Sequence, residues 1–195
     1  SGYGKSTMCA SWHDALARQG VAVAWVSFDR EDDDPSEAIR YIMTAIQAGG
    51  VEGVPVWDGL VPPTVQAGTL VNAIHAHPGE VVLFLDDADQ LQHPRIQQFL
   101  GYLLLHPPAN LHLVAACQRR PEFPVTRLMA LGQMFEVGQD CLQLRDDEAE
   151  ALFALEQGDG GASEVRRLNG AMAGWVTGLR IGIAALRNNS DALLD

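Results

Sequence analysis

The chain begins with Ser1-Gly2-Tyr3-Gly4-Lys5-Ser6-Thr7, which matches the second half of the phosphate-binding loop pattern G-x-x-x-x-G-K-[ST]. Glycines let backbone N–H groups close around phosphate oxygens, because no Cβ atom obstructs the approach. The lysine adds positive charge for the β- and γ-phosphates, and the serine hydroxyl offers an oxygen ligand to Mg²⁺. The stretch therefore predicts an ATP or ADP site whose phosphate contacts come from Gly2, Gly4, Lys5, Ser6 and Thr7.

The pattern is incomplete at its start. Its first glycine would lie two residues before Ser1. The strand that ordinarily leads into such a loop would also precede Ser1. We therefore expect an N-terminally truncated fragment whose sheet lacks its first strand. A flexible Gly/Ser terminus is the alternative, and the rest of the chain has to decide between the two.

An acidic turn after an apolar run favours the nucleotide site. Residues 81–89 read Val-Val-Leu-Phe-Leu-Asp-Asp-Ala-Asp, and five apolar residues without alternation are typical of a strand buried on both faces of a parallel sheet. Asp86 would emerge at the carboxyl end, where ligands of open α/β sheets bind. We expect Asp86 to hold Mg²⁺, together with Ser6, and Asp87 to orient an attacking water. A polar turn is the alternative, and Asp89 is equally suited to cap the next helix.

Composition excludes several classes of protein. The chain has 195 residues and is 47% hydrophobic, which suffices for one core with a small appended subdomain. Its net charge of −12 gives no basic footprint for nucleic acid, and the acidic run 31–34 is expected to be a solvated loop. No apolar run approaches the roughly 18 residues of a membrane span. Cys9, Cys117 and Cys141 lack C-x-x-C spacing and lie in apolar contexts, which predicts small buried thiols in a reducing compartment such as the cytoplasm.

Apolar periodicity predicts strands alternating with helices up to about residue 138, and helices only beyond it. The predicted strands are 21–28, 81–85, 111–117 and a fourth candidate, 133–137. The predicted helices are 6–19, 35–48, 69–77, 94–106, 148–157, 163–172 and 176–186. This order predicts an α/β fold of the P-loop NTPase type, a parallel sheet flanked by helices, in residues 1–140. A small helical lid subdomain would follow in residues 141–195.

Several stretches resemble the nucleotide-binding region of the STAND-class ATPases in the MalT-like, LuxR-type (LAL) regulators of bacterial transcription. The phosphate-binding loop and the double aspartate are general to ATPases, whereas the Trp-x-Ser-x-Asp strand and the Gly-Trp-x-x-Gly-Leu helix are more particular. The resemblance follows the family order over nearly the whole chain. Its stretches are 1–7, 24–29, 40–42, 83–91, 107–114 and 174–179.

The resemblance implies a switch rather than a metabolic enzyme. ADP would hold a closed monomer, and ATP with an inducer would open it for self-association. Slow hydrolysis of ATP with Mg²⁺ would reset the state, which implies a weak ATPase. Inducer and DNA would be bound by regions outside this chain, in a cytoplasmic protein that needs no membrane.

One position departs from the family pattern. After the third strand the family places Ser-Arg, whose arginine is implied to sense the nucleotide, but here Gln118 occupies that place and Arg119 follows it. Glutamine cannot supply a permanent charge to a γ-phosphate. Arg119 is thus the candidate for nucleotide contact, with a solvated loop arginine as the alternative. Further on, Trp175 is expected to pack the lid onto the sheet, its indole filling a gap opened by Gly174 and Gly178, with a direct nucleotide contact as the alternative.

Two other classes use the same loop. A small-molecule kinase would need an acceptor pocket with a base and an arginine clamp, for which Arg119 and Arg120 are the only candidates. An AAA+ type ATPase would need an arginine finger and hexameric assembly. The particular motifs favour the regulator over both.

Overall fold

A computed structural model describes residues 2–57, 59–121, 123–157 and 162–191. Contacts divide the chain into two units. An α/β unit is formed by Ser6–Phe135, and a helical unit is formed by Ser1–Lys5 together with Glu136–Asp195.

The sheet of the α/β unit consists of three parallel strands in the order β1-β2-β3, with bounds Ala22–Ser27, Val81–Asp86 and Leu111–Ala115. The middle strand, β2, pairs through Val81 with Ala22 on one side and with Leu111 on the other. Its first five residues are all buried, as the unbroken apolar run predicts for a strand with neighbours on both sides. The predicted fold class, α/β with a parallel sheet flanked by helices, is confirmed.

Proline marks the start of three helices. Pro35, Pro63 and Pro94 each stand in the first turn, where the N–H groups have no intrahelical partner and the missing N–H of proline costs nothing. The first five helices are α1 Lys5–Arg18, α2 Pro35–Ala48, α3 Pro63–Ala76, α4 Pro94–Leu105 and α5 Val125–Ala130. Across the described ranges, no helix is long and apolar enough to cross a membrane.

Each face of the sheet has its own apolar core. Helices α2, α3 and α4 cover one face with fully buried side chains that include Ile42, Leu70 and Phe99. On the other face, Cys9 of α1 packs against Phe84 of β2. The carboxyl ends of the strands are therefore fixed between two packed layers.

The helical unit contains α6 Asp146–Gln157, α7 Ala162–Ala171 and α8 Val176–Asp191. Its core residues are each at most 1% exposed: Ala149, Val165, Leu179 and Ile183. Buried Asn169 donates hydrogen bonds to the Leu144 carbonyl at 3.1 Å and to Asp146 Oδ1 at 3.0 Å. These bonds join α7 to the start of α6.

Two predicted elements differ from the structure. The candidate fourth strand, 133–137, is irregular: among the described residues no strand of the sheet pairs with it, and its Phe135 is 86% exposed. Helix α3 begins at Pro63, six residues before its predicted start. The Pro62-Pro63 pair indicates a loop in the sequence, but proline is also well suited to the first position of a helix, where Pro63 stands.

Two further differences concern the segment after α4. The apolar run 111–117 predicts a buried strand, but β3 ends at Ala115 and is only half-buried. Among the described residues β3 pairs with β2 alone, so its other edge lacks a covering strand. Helix α5 was not predicted, because six residues are too few for a helical period to be recognised.

We expect Asp34→Ala to lower the free energy of unfolding of the α/β unit by about 1 kcal/mol. The Asp34 carboxylate accepts N–H hydrogen bonds from Ser36 at 2.8 Å and Glu37 at 3.2 Å, so alanine removes the cap of α2. Urea titration followed by circular dichroism measures the change. Asp34→Asn keeps an oxygen acceptor and is the matched control; an equal loss in both variants would contradict the capping role.

Candidate functional site

The carboxyl ends of β1 and β2 lie side by side. Ser27 and Asp86, the last residues of these strands, are partners in the parallel register, and the Phe28 N–H donates to the Asp86 carbonyl at 3.1 Å. This bond continues the ladder one residue past β1, so the backbone of Asp86 is fixed by its neighbour. In open α/β sheets, ligands bind at this edge.

The structure brings Ser6 and Asp86 together, although they are 80 residues apart in the chain. The Ser6 hydroxyl, in the first turn of α1, donates to Asp86 Oδ1 at 3.0 Å, and the Asp87 N–H donates to the same oxygen at 3.2 Å. Hydroxyl and carboxylate oxygens are hard ligands of the kind that Mg²⁺ prefers. The described residues include no group of three or more His, Cys, Asp or Glu side chains that could hold a metal ion. Two protein oxygens fit a Mg²⁺ ion that takes its other ligands from water and phosphate.

The negative charge of Asp86 affects the pKa of the Cys9 thiol in α1. Burial raises the pKa of Cys9, and the charge of Asp86 raises it further. Cys9 is 4% exposed, so it is a packed thiol of α1 rather than a nucleophile. The prediction of a buried thiol is confirmed for Cys9 but is wrong for Cys117, which is half-buried, and for Cys141, which is exposed.

Asp87 has an uncommon backbone conformation. Its φ of 52° and ψ of 38° lie in the left-handed region, which non-glycine residues seldom adopt. The N–H of Ala88 donates to the Ala116 carbonyl at 3.1 Å and holds the turn in this shape. The Asp87 carboxylate accepts a hydrogen bond from Gln118 Nε2 at 3.3 Å. The carboxylate is thus directed by a residue that follows β3.

Asp89 is a buried carboxylate with hydrogen-bond partners from the segment after β3. Its side chain is 3% exposed, and it accepts the Gln118 N–H at 2.9 Å and Arg119 Nε at 3.4 Å. A buried carboxylate needs such partners, because burial of an unpaired charge is costly. The sequence left open whether Asp89 caps a helix or lies beside a ligand. The structure shows that it accepts hydrogen bonds from Gln118 and Arg119 and so holds the segment after β3, an arrangement we call the Asp89 clasp. The Arg119 side chain remains 68% exposed.

The two glycines before α1 meet a backbone requirement. Gly2 and Gly4 have φ values of +80° and +81°, where glycine is unstrained. Lys5 begins α1, and Ser6 and Thr7 complete its first turn. The first-turn N–H groups, which have no intrahelical partner, therefore follow the glycines directly.

Within the helical unit, Gly2 is held by α8. Its carbonyl accepts the Thr177 N–H at 3.2 Å and the Thr177 hydroxyl at 3.0 Å. A Cβ atom at Gly2 would lie 2.6 Å from Thr177 Oγ1 and 2.8 Å from Trp175 Nε1, so glycine alone fits without displacement. Sequence reasoning missed this contact, since no motif links residues 175 positions apart.

Two glycines near Trp175 have different roles. A Cβ atom on Gly178 would collide with Trp175 Cε3, so this glycine makes room for the indole, as predicted. Gly174, at φ +69°, instead lies against Gln143, whose Cβ would be 2.7 Å from an added methyl group.

The acidic run 31–34 is more than a solvated loop. Asp33 Oδ1 accepts the N–H groups of Gln92 at 2.8 Å and His93 at 2.7 Å, just before α4. Together with the Asp34 cap of α2, these bonds fix the loop that follows β1. The sequence signal was available only for Asp34, because a cap within one helix is local whereas Asp33 acts across 60 residues.

Known proteins that resemble the chain match almost all of it. Serine/threonine-protein kinase PknK of Mycobacterium tuberculosis is 29% identical over 203 residues, which cover 98% of this chain and 18% of PknK. HTH-type transcriptional regulator MalT of Yersinia enterocolitica is 27% identical over 98% of this chain and 22% of MalT. MalT of Cronobacter sakazakii is 25% identical, over 99% of this chain and 22% of its own length.

The chain spans about a fifth of the length of these curated relatives. No model of a protein family matches it. The resemblance to the MalT-like regulators, predicted from the motifs, is confirmed by the matches to MalT over nearly the whole chain.

We expect Asp89→Ala to lower the free energy of unfolding by about 1–3 kcal/mol, because the Gln118 N–H loses its acceptor in a part-buried position. Hydrogen exchange over residues 116–119 should accelerate, since the clasp on this segment is lost. Asp89→Asn keeps one carbonyl oxygen for the Gln118 N–H and is the matched control, with a smaller effect. Unchanged exchange in Asp89→Ala would show that the segment is held by other means.

Proposed function

We propose that the chain is the nucleotide-binding switch module of a signal-responsive transcriptional activator, and that it binds ATP or ADP with Mg²⁺. The hydrogen bond between Ser6 and Asp86 carries this proposal. This bond joins the hydroxyl of the Gly-Lys-Ser sequence to the carboxylate at the end of the buried strand. If the N-terminal segment were only a flexible terminus, there would be no reason to expect such a bond. The MalT relatives, which are HTH-type transcriptional regulators, supply the regulatory context.

Ser6 and Asp86 are the proposed Mg²⁺ ligands, Asp86 either directly or through a water. When bound, the ion would neutralise charge on the β- and γ-phosphates. None of the described residues forms an ion pair with Asp86. The negative charge of Asp86 is therefore available to a cation that arrives with the nucleotide.

Gly2, Gly4, Lys5 and Thr7 are the proposed phosphate contacts. The glycines leave backbone N–H groups accessible, and the positive end of α1 follows them in the chain. Lys5 adds a full positive charge at the start of the same helix. An anion with several oxygens, such as a di- or triphosphate, matches this set of donors.

Arg119 is the proposed side chain that senses the phosphates. Asp89 holds its Nε atom while most of the side chain stays exposed. A tethered and exposed guanidinium can offer its remaining N–H groups to a phosphate as a fork. Asp87 is the proposed residue that orients the attacking water in a slow hydrolysis that resets the switch.

The remaining parts of the switch lie in the wider protein. We propose that the units seen here correspond to a nucleotide-binding domain of about residues 1–140 and a helical lid of about residues 141–195. Inducer and DNA would be bound by regions outside this chain, and ATP would favour self-association. A regulator that acts on DNA, with cysteines that form no disulfide, belongs in the cytoplasm.

PknK is named as a protein kinase, but we do not propose protein kinase activity for this chain. Protein kinases cover ATP with a G-x-G-x-x-G loop and use H-R-D and D-F-G motifs for catalysis and metal binding. The sequence contains none of these three motifs, whereas its Gly-Lys-Ser segment is of the P-loop type.

We expect Lys5→Ala and Asp86→Ala each to weaken Mg·ATP binding by about tenfold or more, because each removes one charged partner of the bound nucleotide. Isothermal titration calorimetry on the intact protein, with and without Mg²⁺, measures the change, and Asp86→Ala should also reduce the dependence on Mg²⁺. The matched controls lie on α1: Arg18→Ala removes one positive charge, as Lys5→Ala does, and Asp14→Ala removes one negative charge, as Asp86→Ala does. A folded Lys5 or Asp86 variant that binds as tightly as the unmodified protein would show that the site is misassigned.

We expect Asp87→Asn to slow ATP hydrolysis by about a hundredfold while the Kd for ATP stays within about twofold. Asparagine keeps the shape of the side chain but cannot draw a proton from water. Single-turnover release of phosphate measures the rate, and calorimetry measures the affinity. An equal loss of affinity and rate would make Asp87 a metal or structural residue instead.

A further inference from the structure

Gln118 makes hydrogen bonds to two of the three carboxylates that lie at the end of β2 and in the turn after it. Its backbone N–H donates to Asp89 Oδ1 at 2.9 Å, and its side-chain Nε2 donates to Asp87 Oδ1 at 3.3 Å. The side chain of Gln118 is therefore held next to the carboxylate that hydrolysis would use, rather than extending into solvent as an unpaired amide.

The main chain on which Gln118 stands is fixed by pairing with β2. The Ala116 N–H donates to the Leu85 carbonyl at 2.9 Å, and the Ala88 N–H donates to the Ala116 carbonyl at 3.1 Å. With the Asp89 clasp, three hydrogen bonds set the position of residues 116–118 relative to the turn at Asp87. A side chain on such a rigid segment can orient its partner, because its own backbone does not drift.

Among the residues that the structure describes, hydrogen bonds reach one carboxylate oxygen of Asp87. Oδ1 accepts from Gln118, and no described residue donates a hydrogen bond to Oδ2. The backbone of Asp87 is already held in the left-handed region. Gln118 therefore limits rotation of the carboxylate and leaves its second oxygen for a water.

The chemical nature of the partner matters as much as its position. A glutamine amide donates a hydrogen bond to Asp87 without bringing a charge of its own. An arginine at this position would form an ion pair with Asp87 and would compete with the water for the carboxylate. In this chain the arginine comes one residue later and pairs with Asp89 instead.

We propose that Gln118 is a positioning residue that orients Asp87 for ATP hydrolysis, an inference that rests on the proposed function. In that reaction the water oxygen bonds to the γ-phosphorus, and the bond from this phosphorus to the β,γ-bridging oxygen breaks, its electron pair leaving with ADP. Asp87 accepts a proton from the water and passes it to solvent, so that ATP and water give ADP, phosphate and a proton. Gln118 acts only through Asp87.

The test is a double-mutant cycle in the intact protein, with single-turnover phosphate release and calorimetric ATP affinity as its two readouts. Gln118→Ala should slow hydrolysis about tenfold with the Kd for ATP within about twofold, because a misdirected carboxylate affects the reaction and not the binding. In the Asp87→Asn background the same substitution should have no further effect. Gln118 is exposed, so its truncation opens no cavity.

Two further variants sharpen the test. Gln118→Arg should slow hydrolysis as Gln118→Ala does, and it should not weaken ATP binding either, because the arginine pairs with Asp87 and adds positive charge. Gln92→Ala is the matched control: Gln92 donates its side-chain N–H to the Asp89 carbonyl in the same region, and its loss should leave the rate within about twofold.

The outcomes separate this inference from the proposed function. The inference is wrong, while ATP binding stands, if Gln118→Ala leaves the hydrolysis rate unchanged or changes the Kd in parallel with the rate. It is also wrong if Gln118→Ala slows hydrolysis further in the Asp87→Asn background. A protein that binds ATP but never hydrolyses it overturns the inference and the hydrolysis step of the proposed function, while the proposed nucleotide binding stands. A protein that binds no ATP overturns the proposed function and the inference together.

Discussion

The pairing of β2 with both of its neighbours is the constraint on which the candidate site depends. Backbone hydrogen bonds continue past the end of the strand on both sides, from the Phe28 N–H to the Asp86 carbonyl and from the Ala88 N–H to the Ala116 carbonyl. The turn that carries the three carboxylates is thus tied to β1 and β3 at once. A slip of one residue in this register would move Asp86 to the opposite face of the sheet, away from Ser6.

Three carboxylates within four residues repel one another, and the structure gives each a different partner. Asp89 is buried and has a cation, Arg119. Asp87 has the neutral amide of Gln118. Asp86 has two neutral donors, the Ser6 hydroxyl and the Asp87 N–H, and its uncompensated charge is strong enough to raise the pKa of Cys9 nearby. The described residues therefore leave the charge of Asp86 without a cationic partner, at the edge where ligands of open α/β sheets bind.

The sequence predicted what local chemistry determines. The apolar run of β2, the Asp34-Pro35 start of α2 and the approach of Ser6 to Asp86 follow from composition, capping and a well-defined motif. What it did not predict depends on distant partners. The clasp of Asp89 acts across about 30 residues, and 133–137 is irregular although its apolar pattern suits a strand. Periodicity reports which faces can be buried, but not whether a neighbour is present to bury them.

The bond between Thr177 and Gly2 shows how a distant residue can determine a short loop. Ordering a free loop around phosphate costs roughly 1–2 kcal/mol per residue, and the two hydrogen bonds from Thr177 fix Gly2 before any ligand arrives. One of them uses a first-turn N–H of α8 that has no partner within its own helix. Since linkage is reciprocal, whatever fixes Gly2 also stabilises the first turn of α8, and whatever displaces that turn releases Gly2. The start of the phosphate-binding loop and the start of α8 therefore order together, although no sequence motif connects them.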